Sequence, residues 1–360
     1  MKNQTNTNTH KTTPTQTGLK AKTIKLGIDV HADSYRVVRQ VDHALPQPAQ
    51  KFTPKDFLVW VKKQLDQAEA VHTCYEAGPF GYGLHRQLEA MGIHNRVIRP
   101  QNWDEFHKGV KTDKTDALAM VQRLSRYVDG NTKELTVVRV PTPEQELARS
   151  QSRQREQLLE HRQRLEAQGR SLLLFHGHRR KGHWWEDRPW EQLKSVLSAA
   201  LVELLAVLRE LLLAVQKQLA AATTRLQSAA SAQPCGVGAL TSQILEREIL
   251  DWGRFNNRRQ VASLTGMCPG VRASGAKTHH GAITKHGNRR LRTALIELAW
   301  RCTRCQPDYA PLKKRRDILL NRKATSAARK KAIVAVGRQL AIDLWRIHTG
   351  RTTAAKLGLR

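Results

Sequence analysis

Thr23-Ile-Lys-Leu-Gly-Ile-Asp29-Val-His31 is the stretch on which the fold of the first third of the chain turns. Apolar and polar residues alternate up to Ile28, the period of a β-strand with one buried face, and the run ends on a carboxylate. An acid at the C-terminal end of a buried strand is costly to keep unless something neutralises it. Outward from this point strand and helix signals alternate. Tyr35-Arg-Val-Val38 reads as the next strand. Thr53-Pro54 opens a helix, with Thr as N-cap, Pro in the first turn, and Phe57, Leu58, Val61 and Leu65 on one face. Val71-His-Thr-Cys-Tyr75 is another strand and runs into Glu76. Gly81 to Met91 predicts a helix, Arg96-Val-Ile98 a short strand, and the stretch after it a helix bearing Asp113 and Asp116. Adjacent hairpin strands followed by strand–helix alternation predict an α/β domain over residues 23–142.

Beyond this domain the periodicity changes. Leu158, Leu165 and Leu172 recur every seven residues, and after a break Leu197, Leu201, Leu204, Leu208, Leu211 and Val215 step by fours and threes. Both runs predict helices folded back on each other as a coiled-coil arm over 143–232. The turn between them collects His176, His178, Arg179, Arg180, Lys181, His183, Trp184, Trp185 and Trp190. Two readings stand side by side: basic and aromatic residues that stack bases and neutralise phosphates, or tryptophans that bury themselves in a second subunit. From 233 to 360 the pattern is mostly α-helical with Gly-rich interruptions. It ends in a basic helix whose Ile333, Val336, Leu340 and Leu344 form one apolar stripe.

Charge narrows the function. The 360 residues carry 61 Lys or Arg against 31 Asp or Glu, a formal +30. Such self-repulsion adds nothing to stability, so a polyanionic partner is the economical explanation. From Pro234 to Arg360 there are 26 Lys or Arg and seven Asp or Glu, so most of the excess lies there. Nucleic acid is therefore expected mainly against the C-terminal third, with Lys313-Lys-Arg-Arg316 and Arg329-Lys-Lys331 meeting phosphates. The five cysteines, Cys74, Cys235, Cys268, Cys302 and Cys305, make no disulfide framework and fit a reducing, cytoplasmic setting. Cys302-Thr-Arg-Cys305 has no second pair and reads as two small helix residues rather than half a zinc site. Residues 1–22 are polar and read as a disordered tail. The Leu-rich run Leu201–Leu213 contains Glu203, Arg209 and Glu210, so no membrane association is expected.

Four carboxylates carry the expected chemistry. Asp29 and Glu76 end two predicted strands at corresponding edges, and Asp113 and Asp116, three apart on a helix, share one face. Together they make an all-oxygen set of the kind Mg²⁺ or Mn²⁺ prefers. Two such ions about 4 Å apart can activate a nucleophile and stabilise the leaving oxygen of a phosphodiester. Singly, each has a plainer reading: Asp29 as an Asx-turn former, Asp113 and Asp116 as helix-start residues. As an ordered set they say more. Gly27-Ile-Asp29-Val-His31, Tyr75-Glu-Ala-Gly78 and Lys111-Thr-Asp113-Lys-Thr-Asp116-Ala117 resemble the three blocks of the DEDD transposases of insertion sequence family 110. The resemblance extends over most of the chain. It implies an RNase H-like N-terminal domain similar to the RuvC Holliday-junction resolvase, with Asp29, Glu76, Asp113 and Asp116 as metal ligands.

The C-terminal region adds a second motif. Cys268-Pro-Gly-Val-Arg-Ala-Ser274-Gly-Ala-Lys277 leads through Gly281-Ala-Ile-Thr-Lys285-His-Gly-Asn288 into Arg289-Arg-Leu-Arg292. This reads as a flexible loop rich in Gly and cations before a helix that starts with basic residues, a setting that suits phosphate. A serine there can attack a phosphate whose developing charge the cations stabilise, although loop serines mostly just hydrogen-bond. The segment resembles the second conserved domain of the same family, in which a serine precedes Gly-Gly-Lys. The resemblance implies that Ser274 is a covalent nucleophile and Lys277 a phosphate clamp, with Ala276 departing from the usual glycine. Such a link conserves the phosphodiester's energy, in keeping with the absence of any GxxxxGK[ST] loop. Pro234-Cys-Gly236-Val-Gly238 resembles a helix-hairpin-helix turn whose amides grip a DNA backbone, with Cys235 as an insertion-like departure, and a plain Gly-rich helix turn stands beside that reading.

The sequence thus predicts a DNA transposase in three parts: an α/β RNase H-like domain, an α-helical coiled-coil arm, and a mostly α-helical serine-bearing domain over 233–360. Gly236, Gly238, Arg272, Lys277, Lys285, Arg289, Arg290 and Arg292 are the expected nucleic-acid contacts. The active site is expected to be composite, with Ser274 brought to the carboxylates in a dimer or tetramer. The family resemblance also implies an element-encoded guide RNA. Two other readings remain: a metal-dependent nuclease of Holliday-junction type without a covalent intermediate, and a non-catalytic nucleic-acid-binding protein.

Overall fold

The first β-strand, β1 (Ala21–Val30), is buried on both faces from Ile24 to Ile28, although its alternation predicts only one covered face. The computed structural model describes residues 20–100, 113–228, 236–274, 277–321 and 323–360. Nearly all of the expected tail, together with Pro234, Cys235, Gly275 and Ala276, lies outside the described residues. The chain divides into two compact units, 1–140 and 141–360.

In the first unit β1 is followed by β2 (Tyr35–Val41), β3 (Gln50–Phe52), α1 (Pro54–Lys62), β4 (Ala68–Glu76), α2 (Gly83–Ala90), β5 (His94–Ile98) and α3 (Asp113–Val128). The sheet order is β3-β2-β1-β4-β5, with β2 antiparallel to β1, and with β4 and β5 parallel to it. Thr53 caps α1 by accepting from the Asp56 amide, and Pro54 sits in the first turn, as the Thr-Pro pair predicts. The strand β3 has no counterpart in the sequence pattern, since three residues are too few for a periodic signal.

The odd and even residues of β1 meet different helices. Ile24, Leu26 and Ile28 join Phe57, Val61, Leu84 and Leu88 in one core. The opposite face holds Lys25 and Gly27 and is covered by α3. Lys25 is 1% exposed, and its ammonium donates to the Asp42 carbonyl (2.9 Å) and Ser125 Oγ (3.1 Å). That places a buried cation beside the last turn of α3, where the helix dipole favours one. Further along β1, a Cβ on Gly27 would collide with the Ala117 carbonyl and lie 2.6 Å from the Val121 amide, so only glycine lets α3 approach this closely. Lys25 lies beside residue 125 and Gly27 beside 117–121. The helix therefore runs antiparallel to β1 and brings its N-terminus to the carboxyl end of the strand.

The second unit begins with α4 (Pro143–Phe175), α5 (Asp187–Lys194) and α6 (Ala199–Ser228). The Thr142–Gln145 capping box starts α4. α4 and α6 pack together as the predicted folded-back pair, but the seam of α6 differs from the expected one. Leu201, Leu205, Leu212, Leu219 and Leu226 are buried, whereas Leu204 and Leu211 are 58% and 50% exposed. α6 carries two apolar stripes, and the buried one keeps a seven-residue spacing from Leu205 to Leu226. The turn is also different from both readings offered for it. Trp184, Trp185 and Trp190 are buried within the arm itself, against Leu173, Leu193, Leu201 and Leu205. Gly169 makes the room, because a Cβ there would collide with the Trp184 ring, and Trp184 Nε1 donates to the Glu166 carbonyl at 3.0 Å.

The remainder comprises α7 (Ala239–Ile249), α8 (Arg258–Thr265), β6 (Pro269–Ser274), β7 (Lys277–Ile283), α9 (Arg289–Cys305), α10 (Ala310–Lys313), α11 (Arg316–Leu319) and α12 (Ser326–His348). α9 and α12 form its core, with Leu291, Leu295, Leu298, Ile333, Val336 and Leu340 all buried. Cys302 is buried in α9 as a small apolar residue. Among the described residues no helix is long and apolar enough to cross a membrane.

Candidate active site

Parallel register sets the geometry of the first two carboxylates. Ile28 of β1 pairs with Tyr75 of β4, so Asp29 and Glu76 each follow the last paired position. Their side chains share the face of Gly27 and Cys74, two residues earlier on each strand. That face lies beneath α3: Cys74 Sγ points at the Met120 carbonyl (3.6 Å), and burial followed by the nearby Glu76 charge drives the Cys74 thiol pKa well up. Asp29 is partly covered and meets His31 Nε2 at 3.0 Å.

Asp116 precedes Ala117 on α3, and Ala117 is fully buried beside Val38 and Val121. The antiparallel run of α3 thus carries Asp116 to the end of the sheet occupied by Asp29 and Glu76. Position 113 lies a further turn towards the helix start, and its side chain is outside the described residues. Among the described residues no group of three His, Cys, Asp or Glu side chains is gathered closely enough to hold a metal ion. The donor set is all carboxylate oxygen, the chemistry of a hard divalent cation.

Ser274 lies in the second unit, where the structure replaces the expected flexible loop with a β-hairpin. β6 and β7 are antiparallel, and Ser274 pairs with Lys277 as the final register position, so the serine ends its strand at the hairpin tip. The sequence 269–283 hides this because its apolar residues are sparse, and the described residues from Val271 to Ser274 are exposed on both faces. Arg272, two residues before Ser274, pairs with His279 across the hairpin and is also exposed.

The base of the hairpin is fixed by backbone contacts. Gly266 closes α8 in the left-handed conformation (φ 65°), and its carbonyl accepts from the Lys285 amide at 3.0 Å. A side chain on Gly287 would collide with the Gly266 amide, so this crossing admits only glycine. Asn288 then caps α9 by accepting from the amides of Arg290 and Leu291. Its own Nδ2 donates to Glu248 Oε2 at 2.8 Å. Glu248, with its side chain fully buried on α7, also receives Arg149 (3.4 Å) and Arg153 (3.3 Å) from α4. Burial alone would raise its pKa, but the bonds from Arg153 and Asn288 and the charges of Arg153 and Arg149 outweigh it and lower the pKa. The sequence gives no sign of Glu248 as a junction, because its partners are about 40 and 95 residues away.

The expected nucleic-acid contacts fall into two groups. Arg272, Lys285 and Arg289 are exposed. Arg290 is ion-paired with Glu156, and Arg292 donates to the Thr265 carbonyl at 3.0 Å, so both also brace the structure. Gly236 has φ 87° and faces Cys305 Sγ at a distance that leaves no room for a side chain. Gly238 is the N-cap of α7. The Lys277 side chain lies outside the described residues.

A family model described as Transposase IS116/IS110/IS902 family matches residues 232–313, which include the hairpin and α9. The chain is similar to "Putative transposase y4rJ" of Sinorhizobium fredii, 32% identical over 305 residues that cover 75% of each protein. "Putative transposase y4qE" of the same organism is 31% identical over 255 residues, 67% of this chain and 60% of that protein. "Transposase for insertion sequence element IS1111A" of Coxiella burnetii is 28% identical over 226 residues, 59% of this chain and 60% of that protein. The match thus spans less than two thirds of some of these relatives and three quarters of another.

Proposed function

The chain belongs to the IS116/IS110/IS902 family of transposases, and from that premise we propose that it moves a DNA element by covalent serine chemistry assisted by carboxylate-bound metal. The observation that carries this reading is the position of Ser274 at the tip of an exposed hairpin, inside the segment matched by the family model. A hairpin tip suits a nucleophile that must reach a phosphate on a large, rigid substrate.

The proposed step balances simply. Ser274 Oγ forms a bond to phosphorus as its proton leaves, and the bond from phosphorus to one deoxyribose oxygen breaks, leaving a hydroxyl. A hydroxyl from another strand later attacks the phosphoserine ester and returns the proton to Ser274, so strands rejoin without a nucleotide cofactor. Arg272 and Lys277 offset charge on the phosphate. Asp29, Glu76, Asp113 and Asp116 would hold Mg²⁺ or Mn²⁺, which neutralises phosphate charge and polarises oxygen when bound. The hairpin strands followed by strand–helix alternation in the first unit support an RNase H-like, RuvC-type domain for these carboxylates. Because Ser274 and the carboxylates belong to different units, assembly of both at one phosphate belongs to the proposal, with a homo-oligomer and an element-encoded guide RNA as its expected partners.

The test is a denaturing gel of the protein with labelled element-end DNA, element RNA and Mg²⁺. Wild type is expected to give a protein–DNA adduct that both Ser274→Ala and Asp113→Asn lose. Cleavage without an adduct, retained in Ser274→Ala and lost in Asp113→Asn, overturns the covalent step and leaves a metal nuclease.

A further inference from the structure

A cleft of about 1110 Å³ opens in the second unit, bounded by the start of α8, the α10–α11 connection, α12 and the turn after it. Its walls carry Arg258, Arg259, Lys314, Arg315, Arg338 and Arg351. The one acid at its surface, Asp343, is 2% exposed and already accepts from Tyr309 (2.8 Å), Gln339 (3.1 Å) and Arg346 (3.3 Å). The cleft therefore presents uncompensated positive charge. Among the described residues none of those six cations has a carboxylate partner within ion-pair distance, and the Nε of Arg338 is buried without a hydrogen-bond partner among them.

Two further features point to an anion. Arg258 and Arg259 occupy the first turn of α8, behind the Asn257 cap, at the end of a helix where cations are disfavoured. A position that opposes the helix dipole makes sense when a negative ligand lies in front of it. Aromatic platforms are also missing from the cleft surface: Trp345 is 4% exposed and its ring is covered by the Arg351 guanidinium at 4.1 Å. Single strands are held by bases stacked on open aromatic rings. Cations arrayed over several elements without such rings instead fit the phosphates of a double helix.

We infer that this cleft is a second nucleic-acid site, which grips the sugar-phosphate backbone of a duplex without reading its sequence. It lies at the opposite end of α8 from Gly266 and the hairpin base, and eight helical residues span about 12 Å. That separation is within the length of one duplex. The inference rests on the nucleic-acid reading above, but on neither the serine nor the carboxylates.

The experiment is equilibrium binding by fluorescence anisotropy without divalent metal, using the full chain from about 0.1 to 1 M salt. The probes are two duplex DNAs of unrelated sequence, a duplex RNA and a single strand. Wild type is compared with the triple variant Arg258→Gln, Arg259→Gln, Lys314→Gln, and with Ser274→Ala. All three replaced side chains are exposed, so the unfolding midpoint should equal or slightly exceed wild type as the dipole conflict is relieved. The triple variant should lose roughly a hundredfold in affinity at about 0.1 M salt, equally for both DNA sequences. Its salt slope should fall by about 2 to 3, and its affinity should converge on wild type towards 1 M. The duplex RNA arm shows whether the A-form backbone is held as well as the B-form one. Unchanged duplex affinity and slope, or a loss confined to the single strand, overturns the inference. A wild type that binds none of the probes overturns instead the nucleic-acid reading beneath it.

Discussion

Replacing Glu248 with alanine should destabilise the second unit more than any surface change. Its side chain is fully buried, accepts from Asn288 at 2.8 Å, and faces Arg149 and Arg153 at 3.4 and 3.3 Å. Removing it leaves two guanidinium groups and one amide directed at an empty position. Breaking a buried ion pair from one side costs about 3–5 kcal/mol. Arg149 and Arg153 keep 18% and 39% of their side-chain surface exposed, so water partly takes over their solvation and the lower figure, about 3 kcal/mol, applies. For a unit of this size that corresponds to a fall of roughly 6–12 °C in midpoint. The pH dependence has a definite sign. The folded pKa of Glu248 is lowered from 4.5, so its contribution is complete above that value and is lost as pH falls through the folded value. Urea unfolding followed by tryptophan fluorescence, at pH 7 and pH 4, would measure both effects in wild type, Glu248→Ala and Glu248→Gln. The gap between wild type and the glutamine variant should be level down to about pH 5 and narrow below 4.5. An alanine variant within about 1 kcal/mol of wild type, or a gap that widens in acid, would refute the junction argued here.

Two glycines give further checks. Gly27→Ala places a methyl against the backbone of Ala117 and Val121; because neither can swing aside, α3 must lift, costing about 1–3 kcal/mol or more. The same displacement should abolish strand cleavage while duplex affinity stays at the wild-type level, which binding and gel assays run in parallel would show. Gly169→Ala drives a methyl into the fully buried Trp184 ring, so tryptophan emission should shift to the red and the arm should melt earlier, by about 1–3 kcal/mol. An unchanged spectrum would show that the ring has another position available.

The first unit was largely legible in the sequence because its signals are local. Thr53-Pro54 is a cap read from two adjacent residues, and each strand from β1 to β5 except β3 carries its own apolar run. The end of β1 at Asp29 and of β4 at Glu76 follows from the same runs, so the pairing of the two carboxylates at one edge could be anticipated. What escaped depends on neighbours distant in sequence. The burial of Lys25 follows from Ser125 and Asp42, which no window around β1 contains. Leu204 and Leu205 are equivalent in composition, and only the position of α4 decides which of them is covered. The hairpin 269–283 escaped because a strand exposed on both faces has no hydrophobic period to read. Arg258 and Arg259 carry no local signal, because two arginines in a chain with 61 Lys or Arg stand out only where the cleft gathers them.

The few acids of the C-terminal stretch explain why so much of its positive charge reaches the surface. From Pro234 to Arg360 there are seven Asp or Glu. Glu248 ties α7 to α4 and Asn288, Asp343 serves Tyr309 and Arg346, and Asp308 pairs with Lys313 and Arg360. Asp251 accepts from the Gly253 amide, and Glu246 accepts from Ser242 and Gln243. Five of the seven are thus committed to holding elements together, so within this stretch the 26 cations far outnumber the acids that remain. A domain built this way separates two roles that are often mixed on protein surfaces. Substituting an acid should change the fold's stability with little direct effect on polyanion affinity, whereas substituting an exposed arginine of the cleft should do the reverse. That separation lets the contrast between Glu248→Ala and the cleft variants distinguish a stability defect from a binding defect.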